Sequence, residues 1–203
     1  MIDGGYDMGY KTCPCFWGSK PGSLLLKLDE FITSFEGKNV LDLGCGEGKN
    51  SIYLANKGCF VDAYDISDYA LNNFKNIGIN HPKIKFKNAD VTKLSLPADS
   101  YDIIIAYGLF HCFLDKSDVF KFIPYCIESL KNEGVIILCV FNSRKQDLKA
   151  HPNFNPLLIS HSEYLKLFQL NEVLFESDED LFETHPHNNI PHMHSMTRLI
   201  IRK

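Results

Sequence analysis

The sequence lacks the features that mark membrane, secreted and nucleic-acid-binding proteins. No segment reaches the roughly 18 apolar residues of a membrane span, and the opening MIDGGYDMGYK has no basic head followed by an apolar stretch, as a secretory signal would. Basic patches are also missing: the formal net charge is −4 at pH 7, whereas nucleic-acid binders usually carry a basic face. We therefore expect neither a membrane nor a nucleic-acid partner.

The cysteines do not form the pattern of a secreted disulfide framework. There are seven of them, an odd number. Cys59 and Cys139 lie in apolar runs, where a thiol acts as a small hydrophobic group. Cys13 and Cys15 flank one proline, a motif too short to indicate a metal or redox site. A reducing cytoplasm is the expected location.

Strand-like and helix-like segments alternate after residue 38, without internal repeats or low-complexity tracts. Five apolar runs are predicted as strands: 39–44, 59–65, 84–90, 101–108 and 135–141. Helices are predicted between them over 48–56, 67–77 and 117–130. Continuous Val/Ile runs between helices are typical of a parallel sheet covered on both faces. The pattern predicts an α/β, single-domain, doubly wound and mostly parallel sheet.

The end of the chain breaks this alternation. EVLFESDEDLFE and MHSMTRLIIRK are predicted as two strands with no helix between them, so they should pair antiparallel. We predict one domain over residues 38–203. Residues 1–37 would form an N-terminal lid and a cap helix, the latter from Ser23 to Phe35.

The most informative segment is VLDLGCGEGKNS, in which a strand runs into Gly44, Gly46 and Gly48 and a helix follows. Glycines at such a turn let the backbone approach a ligand, and the helix start presents free amides. The dinucleotide fingerprint G-x-G-x-x-G would need a third glycine at position 49, where Lys49 stands. The strict fingerprint for NAD is therefore not satisfied.

Three acids lie at the carboxyl ends of three successive predicted strands: Asp42, Asp65 and Asp90. Asp42 would repel a pyrophosphate but suits a ligand with an ammonium and a sulfonium, such as S-adenosylmethionine. Asp65 can accept both ribose hydroxyls, and Asp90 can accept the adenine amino group. The predicted cofactor-binding residues are Asp42, Gly44, Gly46, Gly48, Asn50, Asp65, Ile66, Asp90, Val91 and Tyr107.

The signature D-L-G-C-G-x-G with these spaced acids resembles the class I S-adenosylmethionine-dependent methyltransferases, over roughly residues 38 to 203. The resemblance implies a seven-stranded Rossmann-like sheet whose last strand is antiparallel. Within that class, DLGCGEGKNSIYLANKG, the later VDAYD and the terminal RLIIRK are similar to the tellurite-resistance methyltransferases. That resemblance implies that His185 is a pocket histidine and that His194 falls near a pocket arginine.

The acceptor end of the site is predicted after the fourth strand, in YGLFHCF, where Tyr107 and His111 would lie beside the cofactor's methyl group. Tyr10 and Trp17 would be aromatic walls, and the irregular segment 142–156 would be a second lid. YGLF stands where DNA amino-methyltransferases carry a D-P-P-Y type signature. A small molecule is therefore the expected acceptor.

The segment THPHNNIPHMHS holds four of the eight histidines, and it allows three interpretations. In the preferred one, His185, His194 and Arg198 join His111 and Tyr10 around an oxyanion or acidic substrate, without a metal. The second is a metal site using His185, His187 and His192 or His194, although no carboxylate or cysteine partner is obvious nearby. The third is a solvated turn without chemistry.

The sequence thus predicts an enzyme that uses S-adenosylmethionine, leaves S-adenosylhomocysteine and methylates a small nucleophile. The acceptor would be a thiol, a chalcogen oxyanion such as tellurite or selenite, or a small oxygen acid. The alternative is a non-catalytic nucleotide- or metal-binding protein that uses the histidine-rich hairpin. A monomer or a homodimer is expected.

Overall fold

A twisted sheet of seven strands forms the centre of the computed structural model, which describes residues 6–76, 81–185 and 189–203. The strands are β1 (Asn39–Leu43), β2 (Phe60–Asp65), β3 (Ile84–Asn88), β4 (Tyr101–Tyr107), β5 (Leu130–Gln146), β6 (Glu172–Glu183) and β7 (His192–Arg202). Their order across the sheet is β3-β2-β1-β4-β5-β7-β6. Only β7 runs antiparallel to its neighbours, so the predicted fold class is confirmed.

Six α-helices accompany the sheet in the described part of the chain. They are α1 (Tyr6–Thr12), α2 (Ser23–Leu26), α3 (Lys49–Asn56), α4 (Asp68–Asn76), α5 (Lys116–Ser129) and α6 (His161–Leu167). The Ser67 hydroxyl accepts a hydrogen bond from the Ala70 backbone amide at 3.1 Å, so Ser67 caps α4. None of the helices in the described residues is long and apolar enough to cross a membrane.

Two hydrophobic cores lie on opposite faces of the sheet, because successive side chains of a strand point to opposite sides. On β4, Ile104 and Ala106 belong to one core, while Ile103 and Ile105 belong to the other. All four are fully buried. A strand covered on both faces has to be continuously apolar, which explains the runs that predicted the strands.

The cap helix is shorter than the sequence predicted. Helix α2 ends at Leu26, a 3-10 helix follows over Lys27–Glu30, and the remaining residues up to Phe35 are not helical. The apolar spacing that predicted one long helix serves instead to bury Leu24, Leu25 and Leu28 under the sheet.

The predicted lid over 142–156 is partly a strand. β5 continues to Gln146, which pairs with His194 of β7 after an irregularity that begins at Phe141. The remainder is a loop that buries His151 and Phe154. Polar residues in 142–146 concealed this extension, because they lie at the end of the strand, where Ser143 to Lys145 are exposed.

Candidate active site

A cavity opens at the carboxyl ends of β1, β2 and β4, where the strand order reverses between β1 and β4. Open parallel sheets bind their ligands at such a switch point. The enclosed space of the cavity amounts to about 220 Å³. Its wall comes from the glycine turn, the ends of β2 and β4, the N-terminal segment and the β6–β7 hairpin.

The backbone of the glycine turn adopts a conformation that favours glycine over residues with side chains. Gly44, Gly46 and Gly48 have φ angles of +71°, +55° and +79°, a region that L side chains rarely adopt. The Gly46 amide donates to the Asp65 carboxylate at 2.7 Å. The turn and the end of β2 are therefore held together on one side of the cavity.

Asp65 is well placed to hold a ribose. Its carboxylate lines the cavity, is 8% exposed, and accepts hydrogen bonds from the Gly46 and Ser67 amides. Burial raises the pKa of Asp65 above its ordinary value, although these backbone amides oppose the shift. A ligand that donates two hydroxyl groups would satisfy the remaining lone pairs. The acceptor oxygens of Asp65 thus fit the ribose hydroxyls in the nucleoside half of S-adenosylmethionine.

The predicted cofactor residues divide into two groups. Six line the cavity: Gly44, Gly46, Asn50, Asp65, Ile66 and Tyr107. Four do not: Asp42, Gly48, Asp90 and Val91. Asp42 is buried beneath the turn and accepts from the Ser51 hydroxyl at 2.6 Å. Asp90 caps a 3-10 helix by accepting from Thr92, so these two acids have structural partners where the sequence predicted ligand contacts.

The N-terminal segment closes one side of the cavity and is fastened to the glycine turn by Glu47. The Glu47 carboxylate accepts hydrogen bonds from the amides of Cys15 and Phe16, both at 2.8 Å. Tyr10 lines the cavity and lies so close to the turn that a Cβ on Gly46 would come within 2.7 Å of its Oη. Glu47 was missed from the sequence, because its partners are distant in the chain: the amides of Cys15 and Phe16 and the side-chain amide of Asn73.

His111 lies on the cavity wall beyond the glycine turn, as the sequence predicted. Its Nδ1 accepts from the Phe141 amide at 3.2 Å, and its ring stacks on the Phe141 ring with centroids 4.1 Å apart. Tyr6 Oη lies 3.5 Å from its Nε2. Burial lowers the pKa of His111 to about 3, with smaller contributions from His194 and His151. The imidazole is therefore neutral near pH 7.

A second group of imidazoles lies behind this wall. His151, His185, His192 and His194 are buried with ring centroids 4.6 to 5.6 Å apart between neighbours, and His187 lies outside the described residues. The sequence analysis placed His185 and His194 on the pocket wall, but neither lines the cavity. Of the hairpin residues that do, Glu183 separates the cavity from the imidazoles.

His151 and Glu183 were missed as members of this group. His151 comes from the loop after β5, and its Nε2 lies 3.0 Å from that of His185, 34 positions away. Glu183 and His192 are register partners on β6 and β7, so strand pairing brings the carboxylate to the histidines. The statement that no carboxylate partner lies near the histidines is thus wrong.

Arg198 does not reach the cavity. Its guanidinium donates to the Ser23 hydroxyl at 3.0 Å and lies 3.7 Å from the Glu179 carboxylate. Arg198 does share a face of β7 with His194 and Met196, as the period of a strand requires. However, of these three residues only Met196 lines the cavity. Arg198 lies beyond the cavity, beside Ser23 of α2. The predicted contact of Arg198 with an anionic substrate therefore lacks a geometric basis.

Comparison with known proteins identifies the middle of the chain. Residues 40–134 match the family described as "Methyltransferase domain". The chain is 31% identical over 108 residues to a demethylmenaquinone methyltransferase of Clavibacter sepedonicus, covering 53% of this chain and 42% of the relative. It is 23% identical over 149 residues to a probable S-adenosylmethionine-dependent methyltransferase of Mycolicibacterium smegmatis, covering 71% and 54%. The chain spans about half the length of these relatives.

Solved structures share the fold over nearly the whole chain. The crystal structure of TehB from Haemophilus influenzae superposes with a TM-score of 0.72 at 18% identity. The match covers 98% of this chain and 65% of TehB. At this identity the likeness concerns the fold alone, and it includes the N-terminal segment and the β6–β7 hairpin.

Proposed function

We propose that this chain, a class I S-adenosylmethionine-dependent methyltransferase, transfers a methyl group to a small nucleophile whose reacting atom is sulfur or a heavier chalcogen. The family and the cofactor predicted from the sequence are confirmed by the domain match and the fold. The activity and the acceptor are proposals, and the alternative of a non-catalytic binding protein has no support among the similar proteins.

The size of the cavity supports a small acceptor. Tyr6, Tyr10 and Trp17 of the N-terminal segment form one wall, and Leu181 and Glu183 of β6 form another. Phe16 and Trp17 also contact His185 of the hairpin, with ring centroids 5.6 and 4.9 Å apart. We propose that residues 1–37 act as a lid over the acceptor end, which would restrict the acceptor to a small molecule.

The hydrogen bond to His111 is the observation that carries the choice of acceptor: its Nδ1 accepts from the Phe141 amide and is not free to take a proton from an acceptor. When bound, the cofactor supplies a methyl carbon made electrophilic by its sulfonium, and an alcohol acceptor would need a base with a pKa near working pH. The pKa of His111, about 3, is too low for that role. A thiol ionises near pH 8.5 without help and needs chiefly to be aligned. His111 then positions the acceptor and does not take its proton.

Chalcogen oxyanions are the second acceptor class. They carry a nucleophilic lone pair at neutral pH and suit the resemblance to the tellurite-resistance methyltransferases, which the likeness to TehB supports. The Glu183 carboxylate on the cavity wall repels carboxylates and chalcogen oxyanions alike. Small carboxylic acids fit less well because their reacting atom is oxygen, which is a weaker nucleophile toward a methyl carbon than sulfur or a heavier chalcogen. The predicted cytoplasmic location also stays a proposal, supported by seven free cysteines.

The test is an acceptor panel with S-adenosylmethionine and purified protein, measuring S-adenosylhomocysteine by mass spectrometry. The panel contains an alkyl thiol, an aryl thiol, selenite, tellurite, a catechol and a short carboxylic acid. We expect turnover with the thiols or the chalcogen oxyanions, and a thiol rate that rises with the ionisation of the thiol itself. Turnover with only the catechol or the carboxylic acid would refute the proposed acceptor class.

A further inference from the structure

The imidazoles behind the cavity wall converge on one carboxylate oxygen. Glu183 Oε1 lies 3.6 Å from Nε2 of His192 and 3.9 Å from Nε2 of both His194 and His185. All three distances are too long for hydrogen bonds. Within the residues that the structure describes, the Nε2 atoms of His192 and His194 are buried and have no hydrogen-bond partner. Such buried, unsatisfied polar atoms require an explanation.

The hydrogen bonds on the opposite side of each ring fix what these Nε2 atoms can do. The Gln146 side-chain amide donates to the carbonyls of Asn142 and Ser195, at 2.8 and 2.9 Å, which fixes its oxygen as the group facing His194. That oxygen lies 2.8 Å from His194 Nδ1, so Nδ1 must be the protonated nitrogen. Nε2 of His194 therefore presents a lone pair.

His192 is oriented in the same way. Its Nδ1 lies 2.8 Å from the Ile190 carbonyl oxygen, which can only accept. Nδ1 therefore carries a proton, and in the neutral ring the Nε2 lone pair points toward Glu183. Two lone pairs and a carboxylate facing one point would repel an oxyanion, which argues against the sequence-based interpretation of these imidazoles as an oxyanion pocket. They would stabilise a cation.

We infer that His192, His194 and Glu183 form a binding site for one divalent transition-metal ion such as Zn²⁺. Their ligand atoms lie within 4.8 Å of one another. In a tetrahedral zinc site with bonds of about 2.1 Å, ligand atoms are about 3.4 Å apart. The observed separations from Glu183 exceed this by less than 1 Å, so small side-chain movements would complete the site.

The surroundings have the other parts that a metal site needs. Metal-bound imidazoles usually donate their second ring N–H to a carbonyl or a carboxylate, and Ile190 and Gln146 accept these protons here. A shallow surface groove lined by Asp147, Lys149, Glu183 and His192 gives an ion access from solvent.

Three protein ligands leave one tetrahedral position open. Glu183 lines both this groove and the active-site cavity, so the open position can face the acceptor end. An ion there would bind a thiolate acceptor directly. That role rests on the proposed function, whereas the metal site itself does not.

The experiment uses untagged, chelator-treated protein without cofactor or acceptor, titrated with Zn²⁺ by calorimetry. We expect one ion per chain with a dissociation constant at or below the micromolar range, and tetrahedral absorption bands when Co²⁺ replaces Zn²⁺. Mg²⁺ should not compete, because it prefers oxygen ligands. Absence of stoichiometric Zn²⁺ binding to the wild-type protein would overturn the inference.

Variants assign the ligands. His192→Ala and His194→Ala should weaken Zn²⁺ binding at least a hundredfold, and Gln146→Ala, which removes the partner of His194, about tenfold to a hundredfold. His81→Ala is the matched control, since His81 lies outside both ligand groups. Where an alanine variant does not fold, Glu183→Gln keeps the side-chain shape and tests the same site. Unchanged Zn²⁺ affinity in the folded ligand variants would also overturn the inference.

The acceptor panel, run beside the Zn²⁺ titration, separates this inference from the proposed function. Zn²⁺ binding without methyl transfer to any acceptor would leave the metal site standing and remove the proposed acceptor. Methyl transfer to thiols by protein that never binds Zn²⁺ would support the proposed acceptor and overturn the metal site.

Discussion

Asp65 is the residue on which we predict that cofactor binding depends most directly. Its buried carboxylate holds the glycine turn through Gly46 and has lone pairs left for a ribose. Asp65→Asn should weaken S-adenosylhomocysteine binding about a hundredfold or more, because each lost charge-assisted hydrogen bond costs about 1.5–3 kcal/mol. Calorimetric titration measures this change.

Asp62→Asn is the control for Asp65→Asn, because Asp62 lies on the same strand and outside the cavity. The control should bind S-adenosylhomocysteine like the wild type. Equal affinity in the Asp65 variant would remove Asp65 from the cofactor site.

Asp42 gives a pH dependence of stability. Burial raises the pKa of Asp42 from 3.8 to about 7, although the Ser51 hydroxyl opposes the shift. Between these values the folded state binds more protons than the unfolded state, so the free energy of unfolding decreases as pH rises from about 4 to about 7. The full effect at higher pH is up to about 4 kcal/mol.

Asp42→Asn should therefore lose this part of the pH dependence and be more stable than the wild type above pH 7. Urea unfolding of the cofactor-free protein at pH 5 and pH 8 measures both effects. An unchanged difference between the two pH values in the variant would show that Asp42 is ionised throughout.

At the scale of elements, Glu47 connects the N-terminal segment to the glycine turn. Glu47→Gln cannot keep both hydrogen bonds from Cys15 and Phe16, because the amide nitrogen does not accept. The loss of about 2 kcal/mol should make opening of the segment roughly thirtyfold more frequent. Trypsin cleavage near Lys11 and Lys20 should accelerate accordingly.

Glu36→Gln is the matched control for this experiment. The Glu36 side chain is 74% exposed and contacts Lys83, so it takes no part in the hydrogen bonds from Cys15 and Phe16 to Glu47. Trypsin should cleave the Glu36→Gln variant at the wild-type rate. A Glu47 variant that resists trypsin as well as the wild type does would mean that aromatic packing alone holds the segment.

Strands and turns that a local residue pattern marks could be predicted from the sequence. Sites that form only when distant strands or loops come together could not. Apolar runs predicted β1 to β5, and the glycine spacing predicted the turn. Asp42 lies near the end of β1 as predicted, but nothing local in the sequence shows that the Ser51 hydroxyl donates to it. The contact between His151 and His185 depends on an irregular loop, and that of Glu183 with His192 depends on the register of β6 and β7.

At the scale of the whole molecule, the two ends of the chain close over the same cavity. The N-terminal segment meets the hairpin where Trp17 contacts His185. Both elements line the cavity, together with residues at the ends of the strands. A ligand in the cavity thus contacts segments that are far apart in sequence. Its binding energy should stabilise the folded state as one unit.

S-adenosylhomocysteine at a hundred times its dissociation constant should stabilise the protein by about 2.7 kcal/mol. For a chain of this size, that corresponds to an increase in melting temperature of about 5–10 °C. Calorimetry of the melting transition measures the increase, with Asp65→Asn as the variant that should lose it and Asp62→Asn as the one that should keep it. Because NADH would need the dinucleotide fingerprint that Lys49 interrupts, NADH should give no increase. Stabilisation by NADH and not by S-adenosylhomocysteine would contradict the cofactor assignment for the molecule as a whole.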